Sequence, residues 1–478
     1  MSTPPPLAGG AQGPASLRPL LTTALDALRT GASARGGPLP AGGPAAVAAR
    51  VREATGDILP TRGTGADTAL RTLVHALAEG AADPAHALCA AHLHCPPLAL
   101  AVAADLAACA LNPSMDSWDQ APAASEIETL VTRALAAEAY GPGGADALVT
   151  TGGTEANQLA LLLAREHHAT HATPPTHTPH ATPPTHHPVQ LIVGDNAHHS
   201  LARAAWLLGM PPPVTVPAPA GILDPAALDD TLAHLTETPA PLLVAATAGT
   251  TDAGLIDPLD RIADLCTAHG ARLHVDAAYG GPLLFSDTRK ALLHGMERAD
   301  SITFDLHKLG WQPVAAGLLL VRDGRDLTAL GHHADYLNAD DDTEAGLPDL
   351  LGRSLRTTRR PDALKIAVTL KALGRQGIGA LVDQVCAQAT EFAALVDAHP
   401  GFELYERPVI STVLFRPADA TDDHIAHVRR ELLSQGRAVL GRATLDGRRW
   451  LKATLLNPHT RPGDLAELLK LVEGTTPR

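Results

Sequence analysis

Aromatic side chains are scarce: four Trp, four Tyr and five Phe make up 3% of the 478 residues, although 45% of the chain is apolar. The core must therefore be built from Ala, Leu and Val. Either a compositional bias toward Ala, Pro and Arg or a substrate pocket without aromatic lining would produce this, and composition alone does not separate the two. Cysteine is also sparse. The five present (Cys89, Cys95, Cys109, Cys266 and Cys386) show no CxxC spacing and are odd in number, which argues against a zinc ribbon and a secreted disulfide framework and fits a reducing cytoplasm. No apolar run approaches the ~18 residues of a membrane span, and the start Met1-Ser2-Thr3-Pro4-Pro5-Pro6 lacks a basic stretch leading into an apolar one. Positive charge is short too, with 37 Lys and Arg against 51 Asp and Glu, a net −14. That balance disfavours nucleic acid or an anionic membrane as a partner and leaves small substrates open.

What is present is an alternation of β and α patterns. Short apolar or β-branched runs at 148–151, 190–193, 242–247, 272–275, 301–303 and 317–321 are separated by helical patterns such as 156–165, 201–208 and 260–269. This predicts an α/β fold with a mainly parallel sheet flanked by helices. A helix is expected over 99–111, stopped by Asn112-Pro113, and another from Ser125 to about Tyr140. Residues 1 to about 45, rich in Pro, Gly and Ala, read as a loosely ordered arm with one helical stretch near 17–28. Helical patterns at 362–373 and 381–398, then strand-like runs at 412–415 and 451–455, predict a smaller α+β domain. The expected division is 1–85 for the arm and a helical segment, 86–370 for the large domain and 371–478 for the small one. The stretch 167–188 repeats a Thr-Pro-Pro-Thr-His unit and holds seven of the 24 histidines; it lacks the His-Glu-x-x-His helix of a zinc enzyme, so it reads as a surface loop and no metal is expected.

Chemistry concentrates where strands end. Ser301-Ile302-Thr303-Phe304-Asp305-Leu306-His307-Lys308 delivers a lysine beside a histidine at a strand exit, and an amine that attacks a carbonyl needs such a fixed, partly desolvated position. Leu273-His274-Val275-Asp276-Ala277-Ala278 places a carboxylate at another exit, as a protonated pyridine nitrogen would require. Thr150-Thr151-Gly152-Gly153-Thr154-Glu155-Ala156-Asn157 runs from strand through a Gly-Gly turn into a helix, offering free N–H groups and a hydroxyl to one anion; without Gly-Lys-Ser/Thr it is not a Walker loop. Asp195-Asn196-Ala197-His198-His199-Ser200 and Thr247-Ala248-Gly249-Thr250-Thr251 follow two more strands. Ligands of open α/β sheets bind outside the carboxyl ends of the strands, so these segments define one candidate site.

In this joint order the segments resemble the group II pyridoxal-phosphate-dependent decarboxylases, a fold-type-I family that includes glutamate, aromatic amino acid and 2,4-diaminobutyrate decarboxylases. The likeness runs from about residue 92 to the C-terminal region. It implies a seven-stranded-type sheet, pyridoxal 5'-phosphate as cofactor, Lys308 as the Schiff-base lysine, Asp276 as the pyridinium partner and His198 as the imidazole on the ring. By the same likeness Gly153, Thr154 and His307 are the phosphate contacts, Ala278 lines the cofactor and Thr250 lies near the ring. Tyr336 matches the family's loop tyrosine that returns a proton to the substrate carbon. The stretches His92-Leu93-His94-Cys95-Pro96-Pro97, Asn112 to Gln120, His333 to Asn338, Thr357-Thr358-Arg359-Arg360 and Leu451 to Pro458 are most similar to diaminobutyrate and siderophore-type diamino acid decarboxylases. Asp116 stands where aromatic amino acid decarboxylases carry a ring, and would pair with a distal ammonium. Lys452, with Arg359 or Arg360 as alternatives, is the expected cation for the substrate carboxylate. Departures include Pro361 after the paired arginines and Leu306 in the Asp-Leu-His-Lys stretch.

The resemblance thus implies a cytoplasmic homodimer, with an active site shared between subunits, that decarboxylates a basic amino acid such as 2,4-diaminobutyrate, ornithine or lysine. An aromatic or acidic amino acid decarboxylase, another fold-type-I enzyme such as a transaminase, and a cofactor-binding protein without turnover are the competing readings.

Overall fold

The computed structural model describes residues 4–172, 188–236, 240–331, 334 and 337–475. Most of the His-rich stretch, and Tyr336, therefore lie outside the described residues. The chain forms two compact units, one of Met1–Pro96, Cys109–Asn112 and Val385–Arg478, the other of Pro97–Ala108 and Pro113–Gln384.

Three helices open the first unit: α1 (Gly13–Arg35), α2 (Gly43–Thr55) and α3 (Ala66–Gly80). The helical stretch expected near 17–28 lies inside α1, and the loosely ordered reading of the rest of the arm is corrected in that this helix extends over 23 residues. Alanine is the best helix former, and small residues let α1 and α3 approach closely. At Gly31 a Cβ would lie 2.5 Å from the His75 carbonyl oxygen and 2.8 Å from Ala78 Cβ. Further on, β1 (Cys89–Ala90) pairs in parallel with a strand from the far end of the sequence.

The second unit begins with α4 (Ala99–Leu111), apart from its last three residues, and α5 (Pro122–Tyr140). α5 starts three residues before the expected Ser125 cap, because Pro122 takes the first helical position, where its missing N–H costs nothing. Seven strands follow: β2 (Asp146–Thr150), β3 (Gln190–Gly194), β4 (Val214–Val216), β5 (Leu242–Thr247), β6 (Arg272–Ala277), β7 (Ser301–Asp305) and β8 (Gly317–Val321). Their order in the sheet is β2-β8-β7-β6-β5-β3-β4, parallel throughout except that β8 runs against both neighbours. The mainly parallel sheet expected from the sequence is present. Strand β4 escaped notice because prolines 211 to 213 precede it, as an edge strand tolerates.

Strands β5, β7 and β8 are buried at every residue, as continuous apolar runs between helical layers should be. Helices α6 (Gly153–Ala172), α7 (Ser200–Leu207), α8 (Pro225–Leu235) and α9 (Leu259–His269) alternate with them. Leu159 and Leu163 of α6 pack with Leu148, Leu319 and Val321, while Leu161 packs with Leu191, Leu201 and Leu243. Each such buried leucine contributes about 1.5–3 kcal/mol.

In the first unit, β9 (Phe402–Leu404), β10 (Thr412–Pro417), β11 (Val439–Leu445) and β12 (Arg448–Thr454) complete a five-stranded sheet ordered β1-β11-β12-β10-β9. Three of the five Phe, at 392, 402 and 415, gather in its core, with Phe392 and Phe415 edge to face at 5.2 Å.

One backbone contact in the second unit fixes where β2 hands over to α6. A Cβ on Gly317, at the start of β8, would lie 2.4 Å from Gly152 Cα and 2.7 Å from Thr150 Oγ1. Gly317→Ala is expected to lower stability by about 1–3 kcal/mol through overpacking, seen as a lower urea midpoint at unchanged slope; an unchanged midpoint would contradict the contact.

Candidate active site

Lys308, Asp276, His198, Thr250 and the Gly153 turn lie at strand exits of the second unit, and a buried polar network links Asp276, Ala278 and His198. Asp276, near the end of β6, is 6% exposed. Its Oδ2 accepts from Asn157 Nδ2 at 2.8 Å and its Oδ1 from the Ala278 N–H at 3.2 Å. The other amide hydrogen of Asn157 goes to Ser200 Oγ at 2.8 Å, and that hydroxyl lies 2.8 Å from His198 Nδ1. The Ser200 N–H also donates to His198 Nδ1, at 3.3 Å, so in the neutral ring the proton belongs on Nε2. On its carbonyl side, Asn157 accepts from Thr303 Oγ1 at 2.6 Å and pairs with His274 Nε2 at 3.0 Å. These two donors fix which way the amide points.

A second buried carboxyl secures the flanking loops. Asp257 accepts from Asn196 Nδ2 (2.9 Å), the Leu223 N–H (2.9 Å) and the Thr247 N–H (2.7 Å), tying the turn that carries His198 to the end of β5. Burial pushes its carboxyl up, against those three hydrogen bonds. Just beyond, Thr250 is buried and its Oγ1 accepts from the Leu255 N–H at 3.0 Å. The Ala248 N–H donates to the Asp276 carbonyl at 2.9 Å, so the loop after β5 lies beside the end of β6.

Strand β7 ends in Asp305, 1% exposed, whose Oδ2 lies 3.0 Å from Lys308 Nζ and accepts from the Gly153 N–H at 3.1 Å. Its Oδ1 is buried with no hydrogen-bond partner among the described residues. At Gly152 a Cβ would lie 3.1 Å from His307 Cε1, and at Gly153 one would lie 3.1 Å from Ala278 Cβ. Only residues without a side chain let the turn approach His307 and Ala278 so closely. Lys308, His307, Gly152, Gly153 and Ala278 thus come together at the N-terminus of α6, with Thr154 exposed in its first turn.

The other expected residues have partners of their own. Asp116 is half-buried and accepts from Gln120 Nε2 at 2.8 Å, not from the Asn157 network. Lys452 is buried in β12 of the other compact unit, between Leu414 and Gly441 of the neighbouring strands. Arg359 forms a buried pair with Glu128 at 2.8 Å and Arg360 pairs with Asp105 at 2.9 Å. Tyr336 lies outside the described residues. Asn157, Ser200, Asp257, Thr303 and Asp305 were not given roles by sequence reasoning. Asn157, Ser200, Thr303 and Asp305 stood inside the quoted stretches and could have been found by asking what holds each candidate group in place.

A family profile described as the pyridoxal-dependent decarboxylase conserved domain matches residues 68–418. The chain belongs to the pyridoxal-dependent decarboxylase family. A protein of Rhizobium meliloti (strain 1021) named L-2,4-diaminobutyrate decarboxylase is 40% identical over 88% of this chain and 84% of its own length. One of the same name from Acinetobacter baumannii is 35% identical over 86% and 84%. Among solved structures, the glutamate decarboxylase domain of a diaminobutyrate-pyruvate transaminase and L-2,4-diaminobutyrate decarboxylase from Vibrio parahaemolyticus superposes with a TM-score of 0.87 at 32% identity, covering 98% of this chain and 97% of that one.

The decarboxylase fold and its cofactor, pyridoxal phosphate, follow from that membership, and the residues present suit the group. A buried, oriented carboxylate can hold a proton on a ring nitrogen. A strand-exit lysine can bond an aldehyde, and a Gly-Gly turn at the N-terminus of a 20-residue helix can take a phosphate.

Burial holds His274, His198 and His307 below the ordinary histidine value of 6.5. As pH falls below 6.5, the unfolded decarboxylase takes up protons that the folded one refuses, so stability falls with pH in that window and is restored above it. The steepest loss is about 1.4 kcal/mol per pH unit for each such histidine. Urea midpoints measured on both sides of this window check the sign, and His274→Gln, which keeps a donor for Asn157, should flatten the slope.

Proposed function

We propose that this decarboxylase acts on an L-α-amino acid with a distal ammonium, L-2,4-diaminobutyrate first, with ornithine and lysine as longer alternatives. CO2 leaves and the carbon that carried it gains a proton, so that L-2,4-diaminobutyrate gives 1,3-diaminopropane. The observation that carries the chemistry is the buried Asp276 carboxylate, oriented by Asn157 at 2.8 Å, at the same end of the sheet as Lys308. The substrate class rests on the two relatives that bear the diaminobutyrate name at 35% and 40% identity.

Pyridoxal phosphate, when bound, accepts the electron pair released as CO2 departs. In this reading Lys308 would hold the group at its aldehyde carbon, and the site would place the substrate's α-amine beside that carbon. Asp276 keeps the ring nitrogen protonated, a charge interaction that gains strength as electrons move toward the ring. His198 is the ring's imidazole neighbour, and Thr250 and Ala278 line it. The Gly153 turn, Thr154 and His307 hold the phosphate. Asp116 is the proposed partner of the distal ammonium; a carboxylate at that place would repel an acidic side chain and leave an aromatic one without a polar partner. Tyr336 returns the proton to the substrate carbon. The resemblance also supports a cytoplasmic homodimer whose subunits complete each other's sites, which the mass of the assembly in solution tests. Among the described residues no helix is long and apolar enough to cross a membrane.

Incubating holoenzyme with diaminobutyrate, ornithine, lysine, glutamate, aspartate and aromatic amino acids, with products identified by mass, tests the substrate. A diamine from a basic substrate is the expected product, and its absence from all three would reject the proposal. Lys308→Ala should lose both the visible absorption of the bound cofactor and more than about 100-fold in kcat. For Tyr336→Phe, CO2 release should persist while the amine yield falls and aldehyde appears with consumption of dioxygen; an unchanged amine yield would remove Tyr336 from the reaction.

A further inference from the structure

The turn proposed to hold the phosphate carries a carboxylate of its own. Glu155, two residues into α6 from Gly153, accepts from the Thr151 N–H at 2.6 Å and from Thr151 Oγ1 at 2.7 Å through the same oxygen, Oε2. It therefore clamps the residue that precedes the Gly-Gly pair and sets the path from β2 into the helix. A carboxylate so near an anion site should also repel the anion. Its other oxygen, Oε1, accepts from Arg356 Nε at 2.9 Å, and the two side chains are 15% and 33% exposed. Arg356 is separated from Glu155 by 201 residues and is held by its own N–H, which donates to Ser354 Oγ at 2.9 Å.

We propose that Arg356 is a positioning residue of the phosphate cradle: by neutralising Glu155 it lets that carboxylate brace the Thr151–Gly152–Gly153 turn without repelling the dianion the turn binds. This rests on the cradle reading above. The pair separates two jobs. Glu155 supplies geometry, because its oxygen fixes Thr151. Arg356 supplies charge balance, because it touches the oxygen that does not contact the turn.

Charge balance and mere bracing make different predictions for cofactors with and without a phosphate. The test uses the full chain freed of cofactor and measures binding of pyridoxal phosphate and of pyridoxal, with inorganic phosphate as competitor. Both aldehydes react alike with Lys308, so their affinity ratio isolates the phosphate. In Arg356→Gln, the uncompensated carboxylate should lower the preference for pyridoxal phosphate about tenfold at low salt, and less as salt is added. Pyridoxal binding should stay the same. Arg356→Lys should retain the preference, and in the double variant Glu155→Gln, Arg356→Gln the preference should return, because glutamine keeps an acceptor for Thr151 and carries no charge. Equal loss of both ligands in Arg356→Gln, or a double variant no better than the single one, would overturn the inference. If the unaltered protein prefers pyridoxal phosphate and Arg356→Gln leaves that preference in place, this inference fails while the cradle stands. If the unaltered protein shows no such preference and no competition by phosphate, it is the cradle reading that fails.

Discussion

The side-chain amide of Asn157 sits where two strands and two helices meet, and each of its polar atoms has two partners. Nδ2 donates to Asp276 and Ser200; Oδ1 faces Thr303 and His274. A buried amide that lost one of these would cost about 1–3 kcal/mol for the group left unpaired. The arrangement also needs a proton on His274 Nε2; burial favours the neutral ring, and its Nδ1 then accepts from Ser301 Oγ at 2.9 Å. Asn157 lies one helical turn beyond Gly153, so locking its amide sets the rotation of α6 about its axis. That rotation aims the Gly153 N–H at Asp305, the carboxylate that also faces Lys308. The Gly153 turn, Asp276 and Lys308 are thereby held in one register by a residue that has no role of its own in the proposed reaction.

Much of this was legible in the sequence, and the reason is local. A ligand-binding residue at a strand exit announces itself by its neighbours: small residues after Asp276, a Gly-Gly turn before α6, a histidine beside Lys308. The strands of the second unit were readable for the same cause, since buried parallel strands are continuous apolar runs. What escaped was non-local. Asn157 is 119 residues from Asp276 and 43 from Ser200, so its partners emerge only in the fold. Asp257 looks like a loop aspartate until it is seen to bind Thr247, Leu223 and Asn196 together. Of the N-terminal helices only the stretch 17–28, inside α1, was read, because composition was weighed above propensity: Pro and Gly suggested a loose arm around a helix that runs over Gly13–Arg35 and packs on α3.

The scarcity of rings looks different once they are located. Three of the five Phe build the core of the first unit, and Phe285 and Phe304 meet edge to face at 6.1 Å in the second. Trp311 and Tyr279 are also buried, at 1% and 2% exposure. These rings serve packing, where a small number of large side chains fills volume that Ala and Val leave open. Their place in the cores says nothing of a pocket lining, so the substrate class has to be argued from charge.

Charge is also what secures the segment that carries the paired arginines. Arg353, Arg356, Arg359 and Arg360 each meet a carboxylate on a different element: Asp146 at the start of β2, Glu155 in α6, Glu128 in α5 and Asp105 in α4. These contacts are not equivalent. Arg353, Arg356 and Arg360 are 23%, 33% and 40% exposed, so their pairs are screened and contribute at most about 1 kcal/mol each. Arg359 and Glu128 are 2% and 5% exposed, and removing either partner would strand a buried charge at a cost of about 3–5 kcal/mol. The Arg359 carbonyl in addition accepts from the Met115 N–H at 2.8 Å, so the same residue fixes the chain beside Asp116. Arg359 is accordingly the anchor, and the three outer arginines are free to serve ends other than stability. For Arg356 that end lies at the turn leading into α6.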